Sequence, residues 1–167
     1  MTRPAFIYTP SDFAAVVQLG TTTESLFLDF KKTINAKAPD AQQETCRDIA
    51  QFANTEGGCL VIGVNERQDP ITGIKVADSI SGLPDPDQIQ QWIEQAIRNY
   101  LVPATFSHDV SIIQEPRGTV IAVNIPPSRH LVALWDNRGK RPTIEYVRRT
   151  SHGKDWMNPD GKSSCAL

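Results

Sequence analysis

The amino-acid sequence predicts an α+β domain, a mixed sheet with helices packed mainly on one side. Three observations lead there. Segments with helical and with strand periodicity alternate early in the chain and give way to strand-like segments later. One run, Cys59 to Val64 (CLVIGV), is apolar without alternation, as a central strand covered on both faces is. The 167 residues, 40% hydrophobic and 22% charged, suffice for one compact core.

The elements follow in order. Residues 1–10 read as a loose arm. SDFAAVVQL then predicts a short helix with Ser11 as N-cap and Phe13, Val16 and Val17 along one face, ended by Gly20 and three threonines. SLFLDFKK alternates: Leu26, Leu28 and Phe30 point to the core, and Phe27, Asp29 and Lys31 point to the opposite, non-core face. After the polar connection INAKAPDAQQ, a helix over residues 42–54 carries Cys46, Ile49, Ala50 and Ala53 as its inner stripe. It passes through Asn54 and the Gly57–Gly58 pair into the central strand, residues 58–64. Asn54 and glycine both enter the left-handed region readily, and the second glycine allows a close backbone approach.

NERQDPITGI reads as a turn-rich connector, with Ile74 starting a short apolar return. Asp85 is a good N-cap for an amphipathic helix through Ile89, Trp92, Ile93, Ala96 and Ile97, which Pro103 closes; Trp92 on that face reads as core. TFSHDVSII and GTVIAVNIP, separated by QEPRG, form a hairpin, and TIEYVRR is one more strand. The domain organisation expected is an arm and short helix over 1–20, one domain over 21–155 and a tail over 156–167.

Composition narrows the function classes. No run is long enough to cross a bilayer, and the N-terminus lacks a basic start followed by an unbroken apolar stretch, so neither a membrane span nor a signal peptide is expected. Cys46, Cys59 and Cys165 are an odd, scattered set; small buried thiols and a reducing, cytoplasmic setting are the default. His108, His130 and His152 lie far apart, which counts against a structural zinc site. The net charge is −2, but Arg117, Arg129, Arg138, Lys140, Arg141, Arg148, Arg149 and Lys154 face only Asp136 and Glu145 within one stretch, leaving it at +6. Either a basic face sits on an acidic body, or these are the solvated edges of strands.

The motifs ESLFLDFKK, IAQFANTEGGCLVIGVNE, ITGI and EYVRRTS, running from about Thr23 to about Ser151, resemble the Schlafen AlbA-like domain family. The resemblance implies a compact α+β domain associated with nucleic acid. Some members are metal-dependent RNases that cut tRNA or rRNA with three carboxylates; others accompany helicase-like or winged-helix modules as DNA-binding domains. By position the triad is Glu24, Asp29 and Glu66, with Lys31 as the family's lysine. The family usually has glutamate at Asp29 and aspartate at Glu66, so the two side-chain lengths are exchanged here. Nuclease members pair two such lobes, which implies a homodimer for this chain.

Asp29 and Lys31, two apart on a strand, share a face. Glu66 leaves the end of the central strand, so parallel pairing of the two strands would bring three acids beside one lysine. Carboxylate oxygens suit Mg²⁺ or Mn²⁺, which with Lys31 would polarise a phosphate and activate water. The Asp-Phe-Lys step is analogous to the D-x-K half of restriction-endonuclease sites. The plainer alternatives are a strand-start acid for Glu24, an exposed Asp29–Lys31 pair worth at most roughly 1 kcal/mol, and a turn acid for Glu66. Gly57 and Gly58 precede a strand, not a helix, so they do not make a phosphate loop and ATP binding is not expected. Arg138, Lys140, Arg141, Arg148, Arg149 and Lys154 are the candidates for holding an RNA or DNA backbone, with Trp135 and Tyr146 placed to stack on unpaired bases or to finish the core. Three functions therefore compete: a metal-dependent endoribonuclease acting on structured RNA such as tRNA, a non-catalytic DNA- or RNA-binding regulatory module, and a protein-interaction or oligomerisation module of a defence or regulatory assembly.

Overall fold

The computed structural model describes residues 4–136, 139–150 and 153–157, with the side chains of 153 and 154 excepted. Its first element, α1 (Pro10–Val16), is capped by Thr9 and not by Ser11. The Thr9 hydroxyl accepts from the Asp12 amide at 3.1 Å and the Asp12 carboxylate accepts from the Thr9 amide at 3.1 Å, a reciprocal box that fixes the helix start. The residues before it are not a loose arm. Ile7 is fully buried, and its amide and carbonyl both pair with the side-chain amide of Asn124, each at 2.8 Å.

Strand β1 (Leu28–Lys31), helix α2 (Ala41–Ala53) and strand β2 (Gly58–Ile62) form a β-α-β unit. β1 and β2 run parallel, with Asp29 opposite Leu60 and Lys31 opposite Ile62. β7 (Gly118–Ile125) pairs with β2, and β6 (Asp109–Glu115) pairs with β7 as the expected hairpin, giving a mixed sheet ordered β1-β2-β7-β6. β2 is buried throughout, as its unbroken apolar run predicts.

On one face of this sheet, Leu60, Ile62, Ile121 and Val123 pack with α2 and α3 (Pro86–Tyr100). On the other, Leu28, Phe30, Cys59 and Val61 pack with Ile7, Phe13 and Val17 around α1. The two long helices thus lie on one side. Asp85 stands at the N-cap of α3 without a side-chain cap bond, and Trp92 is half-buried against the core.

The chain departs from expectation after β2. Gly63, at φ +108°, ends the strand, and Val64 begins β3 (Val64–Gln68), which pairs with β4 (Lys75–Ile80). The stretch read as a connector is therefore a two-stranded ribbon, turned by the Asp69 carboxylate accepting from the Ile71 and Thr72 amides at 2.8 Å.

A second, antiparallel sheet was not anticipated. It is ordered β10-β9-β8-β5, from β5 (Leu101–Val102), β8 (Ala133–Asp136), β9 (Thr143–Thr150) and β10 (Gly153–Met157). Leu101, Val132 and Leu134 close the core over α2 and α3 from this side.

The FANTEGG segment fastens the two sheets together. Asn54 does not enter the left-handed region (φ −86°); Gly57 does, at +78°. The Asn54 amide donates to the carbonyls of Val132 (2.8 Å) and Val147 (2.9 Å) and accepts from the Val132 amide (2.7 Å). The Thr55 hydroxyl accepts from the Arg149 amide at 2.9 Å. At Gly58 an added Cβ would lie 2.3 Å from the Phe52 ring, which is the close approach expected of the second glycine. Among the described residues no helix is long and apolar enough to cross a membrane.

Candidate functional site

β1 is an edge strand, and its alternation sends Asp29 and Lys31 to one face. That face is not solvent. It is the one covered by α2, and Asp29 is 7% exposed. Lys31 Nζ stands 3.7 Å from Asp29 Oδ2 and 3.1 Å from Asp48 Oδ2, the latter reaching in from α2. On the other oxygen of Asp29, Arg149 Nη2 approaches to 3.7 Å from β9. Arg149 also donates from Nε to the Ser25 carbonyl (2.8 Å) and from Nη2 to the Leu28 carbonyl (3.1 Å), with its guanidinium 4.8 Å from the centre of the Phe52 ring. A carboxylate at the start of a parallel pair is thereby held between two cations.

Glu24 joins this group from the solvent side. Its Oε1 accepts from the Phe30 amide at 3.1 Å, which sets its carboxyl beside that of Asp29. Burial, together with the Glu24 hydrogen bond and charge, pushes the Asp29 carboxyl up to about 6 against the opposing pull of Lys31 and Arg149. Burial by itself would lower Lys31, but Asp48 and then Asp29 outweigh it and hold the ammonium above its ordinary value.

Glu66 arrives as expected, just past the central strand, and a register shift between Asn65 and Glu66 re-aims β3 there. Its carboxyl is raised by burial and by the charge of Asp29, against Lys75 and Lys31, and its Oε2 is buried with no hydrogen-bond partner. Glu24, Asp29, Lys31 and Glu66 are thus brought into one electrostatic neighbourhood.

These oxygens are the donors Mg²⁺ and Mn²⁺ prefer. As arranged, however, they do not fit a metal cage. Among the described residues no group of three or more His, Cys, Asp or Glu side chains stands where it could hold a metal ion. Each oxygen of Asp29 is, moreover, already faced by a protein cation.

The basic residues divide. Arg138 lies outside the described residues, as does the side chain of Lys154. Lys140 and Arg141 are exposed on the turn between β8 and β9, and Arg129 is exposed before β8. Arg148 pairs with Asp155 at 3.1 Å, and Arg117 folds onto Glu115. Arg149 points inward and is a brace of the Asp29 site, not a surface contact for phosphate.

Sequence reasoning missed two members of the site. Asp48 follows Thr45 by three residues and precedes Gln51 by three, so the three buried polar side chains form a stripe beside the apolar one of α2. That spacing was the available signal. The inward turn of Arg149 depended on the parity of β9, which Val147 sets by its complete burial.

The family model described as Schlafen, AlbA_2 matches residues 24–158. Among solved structures, the N-terminal domain of a RecG-related protein from Nitrosomonas europaea is similar at 23% identity and a TM-score of 0.50, covering 75% of this chain and 74% of that one. A protein from Corynebacterium diphtheriae matches at 18% identity and a TM-score of 0.44, over 80% of this chain and 25% of that one. This chain therefore spans about a quarter of that protein. No curated protein matches the chain.

Proposed function

Because the chain belongs to the Schlafen AlbA_2 family, we propose that it binds nucleic acid, holding the phosphate backbone with exposed cations that flank β8 of its second sheet. The observation that carries this reading is that the exposed cations Arg129, Lys140 and Arg141 surround β8 while the nearby acids turn away. Asp136 accepts from the Gln43 side-chain amide at 2.7 Å, and Glu145 pairs with Arg47 at 3.1 Å. Contacts of this kind position a backbone without reading its sequence, and they weaken steeply with salt.

A second reading adds RNA hydrolysis at Glu24, Asp29, Lys31 and Glu66, in a homodimer. What favours it is an excess of carboxylates over cations, including the unpartnered Glu66 Oε2. It requires the acids to draw together on Mg²⁺ or Mn²⁺.

One experiment addresses both readings. Total tRNA is mixed with the protein in Mn²⁺ or in EDTA, and each mixture is run on native and denaturing gels at several salt concentrations. Salt-sensitive binding, reduced in the Lys140→Glu/Arg141→Glu variant, is the expected result. Absence of binding at low salt removes the proposal. Cleavage that needs Mn²⁺ and is lost in Asp29→Asn establishes the second reading; intact tRNA in both mixtures removes it.

A further inference from the structure

The second sheet has an outer face on which Val102, Trp135 and Ile144 stay exposed. Its inner face is set by Leu101 and Leu134, which join the core with α2 and α3, and by the fully buried Val147. Alternation then places Val102, Ala133, Trp135, Ile144 and Tyr146 on the opposite face, where the register puts Trp135 directly across from Ile144 and Ala133 across from Tyr146. These residues, with Pro103 and Leu131, line a groove of about 440 Å³. Trp135 is 37% exposed, Val102 50% and Ile144 61%. Such exposure on neighbouring strands exceeds what scattered surface hydrophobics need.

We propose that this groove is a stacking platform for unpaired bases of single-stranded RNA, with Trp135 and Tyr146 as the ring surfaces. The inference rests on the nucleic-acid reading above and extends it from backbone to base.

Three features of the groove select this occupant. First, Trp135 and Tyr146 are diagonal neighbours across the β8–β9 ladder, close enough for one strand to meet both rings. Second, no charged side chain lines the groove, so bases are met by apolar surface. Third, cations stand at its margins: Lys140 and Arg141 are exposed on the turn joining the two strands, and Arg129 is exposed shortly before Leu131. An apolar aromatic floor between cationic margins is the chemistry of a single strand, whose bases stack while its phosphates run alongside. A second copy of the chain fits less well, because two-fold pairing of this face would press cationic margins into a shared contact.

The test measures binding of a short fluorescein-labelled oligouridylate, and of an RNA duplex of equal length, by anisotropy at low salt. It uses the wild type and the Trp135→Ala, Trp135→Phe and Tyr146→Ala variants, each checked for folding by circular dichroism. Expected are losses of about tenfold or more in single-strand affinity for the two alanine variants, with partial retention in Trp135→Phe. Duplex affinity should be unchanged. Quenching of Trp135 by the oligonucleotide in a Trp92→Phe/Trp156→Phe background is the accompanying signature.

If wild type and Trp135→Ala bind the oligouridylate equally, the platform is refuted while backbone binding stands. If the wild type binds neither probe, the nucleic-acid reading fails and the platform with it. If sedimentation shows a dimer that Trp135→Ala dissociates, the groove is an interface between copies and the proposal is overturned.

Discussion

Alternate residues of β9 enter two regions of opposite character. Glu145, Val147 and Arg149 point into the body, where Glu145 meets Arg47, Val147 is fully buried and Arg149 braces Asp29 and the start of β1. Ile144 and Tyr146 point outward beside Trp135, and Arg148 follows them on that face toward Asp155. The inner region uses cations to balance buried carboxylates. The outer one sets cations around an exposed apolar face. Adjacent arginines, Arg148 and Arg149, are thus held by different chemistry, so charge counted along a strand identifies no binding surface until the parity of the strand is known.

The contrast is broken most strongly at Arg149. Arg149→Ala strips the hydrogen bonds from two carbonyls and a cation from a buried carboxylate, which costs about 3 kcal/mol. For a chain of this size that lowers the thermal midpoint by on the order of 10 °C. Arg141→Ala, at an exposed turn, stays within about 0.5 kcal/mol. Calorimetry of both variants decides the matter: equal melting would mean that Arg149 is no more structural than Arg141.

A comparably large effect is expected from pH. The Asp29 carboxyl is raised from its unfolded value near 4 to about 6, mainly by burial. The folded state then binds a proton more tightly than the unfolded state does. Its contribution is complete below about pH 4 and is lost as pH rises through about 6, to a total of about 3 kcal/mol. Asp29→Asn lacks this proton, so the stability of wild type relative to the variant should fall across that window. Because the lowered Asp12, Asp69 and Glu115 titrate alike in both proteins, they cancel from the difference, which reports Asp29 together with its coupling to Glu66. Parallel urea-stability profiles from pH 4 to 7 would show that the carboxyl is not strained by its burial.

The inner region was partly legible in the sequence because its elements carry periodic signals. The alternation of Leu28-Asp-Phe-Lys31, the stripe on α2 and the apolar run of β2 together give the β-α-β unit, and the unit places Asp29 beside Lys31. Asp48 was hidden because a carboxylate on a helix is ordinarily solvated, and only the sheet edge against which α2 packs makes it an inward residue. The outer region was less legible. β8 has four residues and β5 two, too short for any period to declare itself. In TIEYVRRT either Ile144 and Tyr146 or Val147 could face the core. The choice falls to Val147 because Asn54 and Thr55, at the end of α2, fix the register by bonding to the backbone of Val147 and Arg149. That is a tertiary constraint with no counterpart in local pattern.

The smallest effect tests that parity most directly. Val147→Thr keeps the branched shape but buries a hydroxyl at a fully buried position of β9, which packs on α2, at a cost of about 2 kcal/mol. Ile144→Thr makes a similar exchange three residues earlier, on the outer face. Threonine keeps the strand preference, and Ile144 is 61% exposed, so the change should stay within about 0.5 kcal/mol. Because both variants swap an aliphatic for a hydroxyl on one strand, differences in propensity and in the unfolded chain largely cancel between them. Urea midpoints that fall equally would mean that the outer face is covered in solution, and a larger fall at Ile144 would reverse the assignment of faces on which the base platform depends.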